Sequence, residues 1–135
     1  MAGDEQVVTQ VFRDYLESFR SLKPDGVVPY CDVPCLFISA QGVRVMNTTG
    51  EVAAFIAQLM EGLKARGFAR SELPELKVSQ MSAHIVMVSV QRIRYKADGH
   101  ELERLGETYV FRKKAESWKI VTAMTHDADR LLQLG

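Results

Sequence analysis

The chain has 135 residues, 47% of them hydrophobic and 25% charged, with 17 Lys+Arg balanced by 17 Asp+Glu. That length suits a single domain spanning 1–135, and the composition is globular rather than collagenous, coiled-coil or disordered. A net charge of zero argues against nucleic acid or an anionic membrane as a partner, since either would call for a basic excess.

Residues 5–22 are predicted to form a helix. Val7, Val8, Val11, Phe12, Tyr15, Leu16, Phe19 and Leu22 recur at spacings of three and four and give it one wide apolar face. Asp4 suits its cap and Glu5 its first turn. Pro24, Asp25 and Gly26 break it, and Val27–Cys31 fits one further helical turn or two. Cys35–Ser39 reads as a short buried strand, turned at Gln41-Gly42 into an antiparallel return through Val43 and Val45. Thr48 and Glu51 make a capping box for a second long helix that runs to about Arg66. Its stripe is Val52, Phe55, Ile56, Leu59, Met60 and Leu63, and Gly67 stops it.

After Pro74 the apolar period changes from 3.6 to 2. Leu76–Ser82 and Ala83–Lys96 are predicted strands. Asp98-Gly99 signals a hairpin, Glu101–Lys114 returns, and Trp118–Thr125 is the last strand. Leu131, Leu132 and Leu134 are left to cover a sheet edge. Helices kept apart from a meander of long strands indicate an α+β protein, with helices on one face of a curled antiparallel sheet. A chain of this size exposes on the order of 7,000 Å² folded against roughly 22,000 Å² unfolded, enough burial for a core without staples.

The N-terminus carries Asp4 and Glu5 and no basic run before an apolar stretch, so a secretory signal is not expected. No apolar window is long enough to span a membrane, and the expected compartment is the cytoplasm. Cys31 and Cys35 lack the partners of a zinc site and the C-x-x-C spacing of a tuned thiolate; they read as small apolar side chains, with a redox pair as the alternative. His84, His100 and His126 lie far apart and show no i, i+4 pair, so no metal is expected. No phosphate-binding glycine loop occurs, and no cofactor is expected. The basic runs Arg92–Lys96 and Arg112–Lys114, which paired strands can bring together, read as a solvated strand end beside Glu101, Glu103 and Glu107, with contact to an acidic ligand or to nucleic acid as the alternative.

In this order of elements the chain resembles the NTF2-like superfamily, closest in size to its SnoaL-like and ketosteroid-isomerase-like branch. The resemblance covers most of residues 5–127. It is carried by Tyr15-x3-Phe19 on helix one, by the break Lys23-Pro24-Asp25-Gly26-Val27-Val28, and by the hairpin Thr108-Tyr109-Val110-Phe111-Arg112-Lys113 to Ser117-Trp118-Lys119-Ile120-Val121. It implies a cone-shaped, cystatin-like α+β fold with a ligand cavity between helices and sheet, and a homodimer through the sheet's outer face. Family chemistry ranges from isomerases, cyclases and dehydratases to non-catalytic scaffolds, so the fold alone names no reaction.

The isomerase branch needs an oxyanion tyrosine, a carboxylate base and a protonated acid. Aligned by the resemblance, Tyr15 falls on the tyrosine, Ser39 on the base and Tyr109 near the acid, so a steroid-type proton shuffle is not expected. By the same resemblance, the face of the long strand carrying His84, Val86, Val88, Val90 and Arg92 is expected to look inward. On it, His84 paired with Asp127 is the candidate for handling a proton, with Tyr15 and Tyr109 donating. The plainer alternatives put His84 half exposed at a strand start, or at a dimer interface. Thr122 and Met124 stand where SnoaL-like relatives more often carry histidine. The expected ligand is a small hydrophobic or carbonyl-bearing molecule, lined by Phe19, Phe37, Phe55, Leu59, Val86 and Val88. The second expectation is a non-catalytic dimeric scaffold.

Overall fold

The computed structural model describes residues 3–132. Helix α1 (Asp4–Arg20) is followed by one turn, α2 (Pro24–Val27), and a 3₁₀ turn at Val28–Tyr30. Strands β1 (Cys31–Ser39) and β2 (Gly42–Met46) form a hairpin. Helix α3 (Thr49–Ala65) then leads into four long strands, β3 (Phe68–Ser82), β4 (Ile85–Lys96), β5 (Glu101–Lys114) and β6 (Ser117–His126). The protein is α+β, with one six-stranded sheet in the order β2-β1-β6-β5-β4-β3. Every pair is antiparallel except β1 with β6, which is parallel. The sheet is therefore mixed rather than antiparallel throughout, because α3 returns the chain so that β3 runs in the direction of β2, and three further reversals set β6 parallel to β1.

Local chemistry accounts for the elements. On α1, Val8, Phe12, Tyr15 and Phe19 are buried at steps of four, three and four, one stripe of a 3.6-residue helix. The helix starts at Asp4 itself, the expected cap, one residue earlier than expected. Gly3 is the N-cap, and the Asp4 and Glu5 carboxylates instead accept from Gln80 of β3, at 2.8 Å each. On α3, Val52, Ile56, Met60 and Leu63 turn inward. The Thr48 hydroxyl accepts from the Glu51 backbone N–H at 3.1 Å, satisfying an end donor that the helix cannot pair itself. Gly67, at φ 81°, ends the helix in the left-handed region that glycine enters without strain.

The third strand begins at Phe68, not Leu76, and runs through Pro74. Proline is tolerated there because β3 is an edge strand and its register with β4 slips between Glu72 and Glu75. The turn between β3 and β4 takes Ala83 and His84, which were expected within the strand. Further slips lie at Cys31/Leu36, Arg94/Tyr95 and Val110/Phe111. Such bulges bend strands, and bent strands let the sheet curl around α1 and α3. Val86, Val88 and Val90 are fully buried under the helices with Phe12, Tyr109 and Phe111. Each buried side chain of this kind contributes roughly 1.5–3 kcal/mol.

The opposite face of the sheet carries a polar row. Ser89, Thr108 and His126 bond in sequence, at 2.9 and 2.8 Å, across β4, β5 and β6. The chain after β6 crosses this row. Ala128 O accepts from Gln91 Nε2, and Leu132 N donates to Ser89 Oγ at 3.1 Å. The C-terminal segment therefore lies over the middle strands rather than along an edge; Leu134 falls outside the described residues. No helix among the described residues is long and apolar enough to cross a membrane.

Candidate functional site

A small void of about 50 Å³ remains between the helices and the inner face of the sheet. That is room for roughly three to five waters at 10–15 Å³ each. Its apolar walls come from α1 (Tyr15, Phe19), from β1 (Phe37) and from α3 (Phe55, Leu59). The aromatic faces interlock. Phe37 and Phe55 lie 4.8 Å apart, and Tyr15 sits edge-on to Phe19 and Tyr109 at about 6 Å. A wider cleft of about 510 Å³ opens at the end of α3 and shares Leu59 and Arg94 with the inner void.

The floor is charged. Arg92 on β4 and Glu107 on β5 project inward beside Val90 and Tyr109, and both line the void. Their side chains are 2% and 8% exposed, and Arg92 Nη2 meets Glu107 Oε1 at 2.8 Å. The Tyr109 hydroxyl accepts from the same Nη2 at 3.2 Å and donates to the same Oε1 at 3.0 Å. Two buried charges this close hold each other in place, because either alone would be left unsolvated. Burial works to neutralise Arg92, but the Glu107 carboxylate, with Tyr109 and Tyr15, holds its pKa above the ordinary value. Burial pushes the Tyr15 hydroxyl above the usual tyrosine range, as it does that of Tyr109, where Glu107 adds to the rise. Both phenols are neutral at physiological pH.

One turn of the pleat further on, Arg94 stands at the junction of void and cleft. It pairs with Glu103, which also takes a 3.0 Å bond from Arg66 of the residues closing α3. Burial raises the Glu103 pKa, but Arg94 and Arg66 outweigh it and hold the carboxyl below its usual range.

The residues expected at the site divide accordingly. Tyr15, Phe19, Phe37, Phe55, Leu59 and Tyr109 lie on the void. Val86 and Val88 are fully buried in the packed core and do not line it. Ser39 sits at the rim of the β1–β2 turn, its hydroxyl bonded to Gln41 Oε1 at 3.0 Å. His84 is exposed in the β3–β4 turn, where Lys113 donates to its backbone carbonyl. The inward face of β4 thus begins at Val86. Asp127 is exposed beyond β6, 3.9 Å from Arg130, on the wall of the outer cleft. His84 and Asp127 therefore do not converge with the two tyrosines. His126 faces the outer side of the sheet over Gly106, where a Cβ would come within 2.5 Å of the imidazole.

Arg92 lies on the inward face of β4, as its place in the series with Val86, Val88 and Val90 predicts, whereas Arg94, Glu103 and Glu107 lie in stretches expected to be solvated. Arg92 and Arg112 are not neighbours: Arg92 pairs across from Leu105 and Arg112 from Ile85, at opposite ends of the hairpin. The available signal was phase. Arg92 and Arg94 continue the two-residue step of Val86, Val88 and Val90, and Glu107 that of Tyr109 and Phe111. Cys31 and Cys35 also line the void. A hydrogen bond to Cys35, reinforced by burial, pushes the Cys31 thiol upward, so it stays protonated. No cluster of metal-ligating side chains occurs among the described residues.

The sequence matches the family described as NTF2-like protein (DUF6841) over residues 4–128. The chain belongs to that NTF2-like family. Its fold is similar to a cystatin-like protein of unknown function from Nostoc punctiforme, with a TM-score of 0.76 at 10% identity, covering 93% of this chain and 91% of that one. It is similar also to an NTF2-like protein from Novosphingobium aromaticivorans, with a TM-score of 0.74 at 15% identity, covering 93% and 82%. The protein Aln2 from a Streptomyces species gives 0.73 at 14% identity, covering 96% and 95%. At these identities the likeness is one of fold. No curated protein matches this NTF2-like chain in sequence.

Proposed function

We propose that this NTF2-like protein binds a small, mostly apolar molecule in the hollow between α1, α3 and the sheet. The observation that carries the reading is an aromatic-walled void with a buried Arg92–Glu107–Tyr109 floor, continuous in its lining with an open cleft through Leu59 and Arg94. Apolar walls with a few convergent polar groups are what small-molecule sites require, and a void and cleft of this combined size suit a small guest. Binding is favoured over proton transfer by the exposed positions of His84 and Asp127, which leave the two buried tyrosines without a nearby histidine base. A homodimer through the outer face of the sheet belongs to the same reading. Ile85 is exposed there, but the C-terminal segment crosses that face and would have to be built into the interface. Light scattering reads this directly.

The test is thermal unfolding against a panel of aromatic, terpenoid and polyketide-like compounds, both neutral and acidic. A ligand at a hundredfold its Kd adds about 2.7 kcal/mol, a rise on the order of 10 °C for a domain of this size. Leu59→Trp, which fills the shared wall, is expected to abolish the rise with the far-UV spectrum unchanged. A panel without a single shift, or shifts that survive Leu59→Trp, would overturn the proposal.

A further inference from the structure

Two guanidinium groups on one strand face are incompletely used. Arg92 spends Nη2 on Glu107 and Tyr109, and its Nε–H is buried with no acceptor among the described residues. Arg94 spends Nη1 on Glu103, and its Nε–H is likewise buried and unpartnered. Buried donors are nearly always paired, because one without an acceptor carries its full desolvation cost. Both residues line the void, two positions apart on the inward face of β4. Because Glu103 is held through Nη1, the Nε–Nη2 edge of Arg94 is unengaged among the described residues. That edge presents two parallel N–H bonds, the fork that matches the two oxygens of a carboxylate.

The charges point the same way. Arg92 and Arg94 line the void with one carboxylate, Glu107, which leaves one cation in surplus there, while the outer cleft adds Arg66 with Glu103 and Asp127. Asp127, the other acid on the cleft, is exposed and faces Arg130. A neutral guest would leave both the donors and the surplus charge as they are. A carboxylate answers both at once.

Resting on the cavity reading above, we infer that Arg94, with Arg92 behind it, anchors the carboxylate of a small aromatic or otherwise apolar acid. The carboxylate reaches into the void, and the body of the acid lies in the wider cleft against Leu59, Leu63 and Leu105. Arg92 Nε–H supplies a third donor from the floor.

The test uses molecules of one shape and three head groups: trans-cinnamate, cinnamamide and cinnamyl alcohol, with benzoate, benzamide and benzyl alcohol as the shorter set. Affinities are measured calorimetrically at pH 7 on the full chain. Each acid is expected to bind at least tenfold more tightly than its amide and alcohol. Arg94→Gln is expected to bring the three within about twofold of one another while leaving the amide unchanged. Amide and alcohol binding as tightly as the acid would overturn the head-group assignment and leave the cavity reading standing. Acid preference unchanged in Arg94→Gln would remove Arg94 as its anchor. If no member of either set binds, the aromatic-acid assignment falls, and the wider panel above decides the cavity reading separately. Should Arg94→Gln not fold, the wild-type acid-to-amide ratio alone decides the class.

Discussion

The floor pair makes the sharpest energetic prediction. Arg92 and Glu107 meet at 2.8 Å with side chains 2% and 8% exposed, so solvent screens the pair very little. Arg92→Met removes the cation and leaves a buried carboxylate whose remaining partner is the Tyr109 hydroxyl. Glu107→Leu does the reverse and strands a buried guanidinium. Breaking a buried pair from one side costs about 3–5 kcal/mol, since the partner keeps its desolvation penalty and loses its compensation. Removing both sides together takes the charge out of the core altogether. The double variant is expected within about 1 kcal/mol of the wild type, the residue being Tyr109's lost acceptor. The coupling in the cycle is therefore several kcal/mol. Urea unfolding at pH 7, followed by Trp118 fluorescence and far-UV dichroism, measures all four proteins. Single losses that simply add in the double variant, with coupling under roughly 0.5 kcal/mol, would refute the argument, because independent sites add to within that margin.

Two further outcomes follow from the same geometry. Tyr15 and Tyr109 have pKa values raised by burial. Above about pH 10 the unfolded chain ionises these phenols while the folded one keeps their protons. The stability they confer is whole below that pH and falls as pH rises, by up to about 2.7 kcal/mol per pH unit for the two together. Urea midpoints at pH 9 and 11 should show the fall, and Tyr15→Phe with Tyr109→Phe should flatten it; an unchanged slope refutes it. The β5–β6 turn sets Ala115 at φ 48° and Glu116 at φ 68°, a conformation natural to Asn-Gly but costly for these residues. Ala115→Asn with Glu116→Gly is expected to raise stability by about 1–2 kcal/mol, read as a higher urea midpoint; no gain would show that the turn is unstrained.

What the sequence determined on its own was set by short-range chemistry. The 3.6-residue stripe of α1, the Thr48 cap, the stop at Gly67 and the Asp98-Gly99 turn each follow from residues within a few positions of one another, and the structure places each of them. Helix and strand segregation then followed, and with it the α+β class. What only the tertiary structure decided was register. A strand shows every second residue to each face, so a shift of one position, or a bulge, decides which side chains enter the hollow. Reading the strand from Ala83 put His84 at its inward start; the turn at Ala83–His84 left it in solvent. Arg92, Arg94, Glu103 and Glu107 are ordinary surface residues by composition. They become the floor and gate of a cavity because β4 and β5 pair in one register, which brings opposite charges from 15 residues apart to within 2.8 Å away from water.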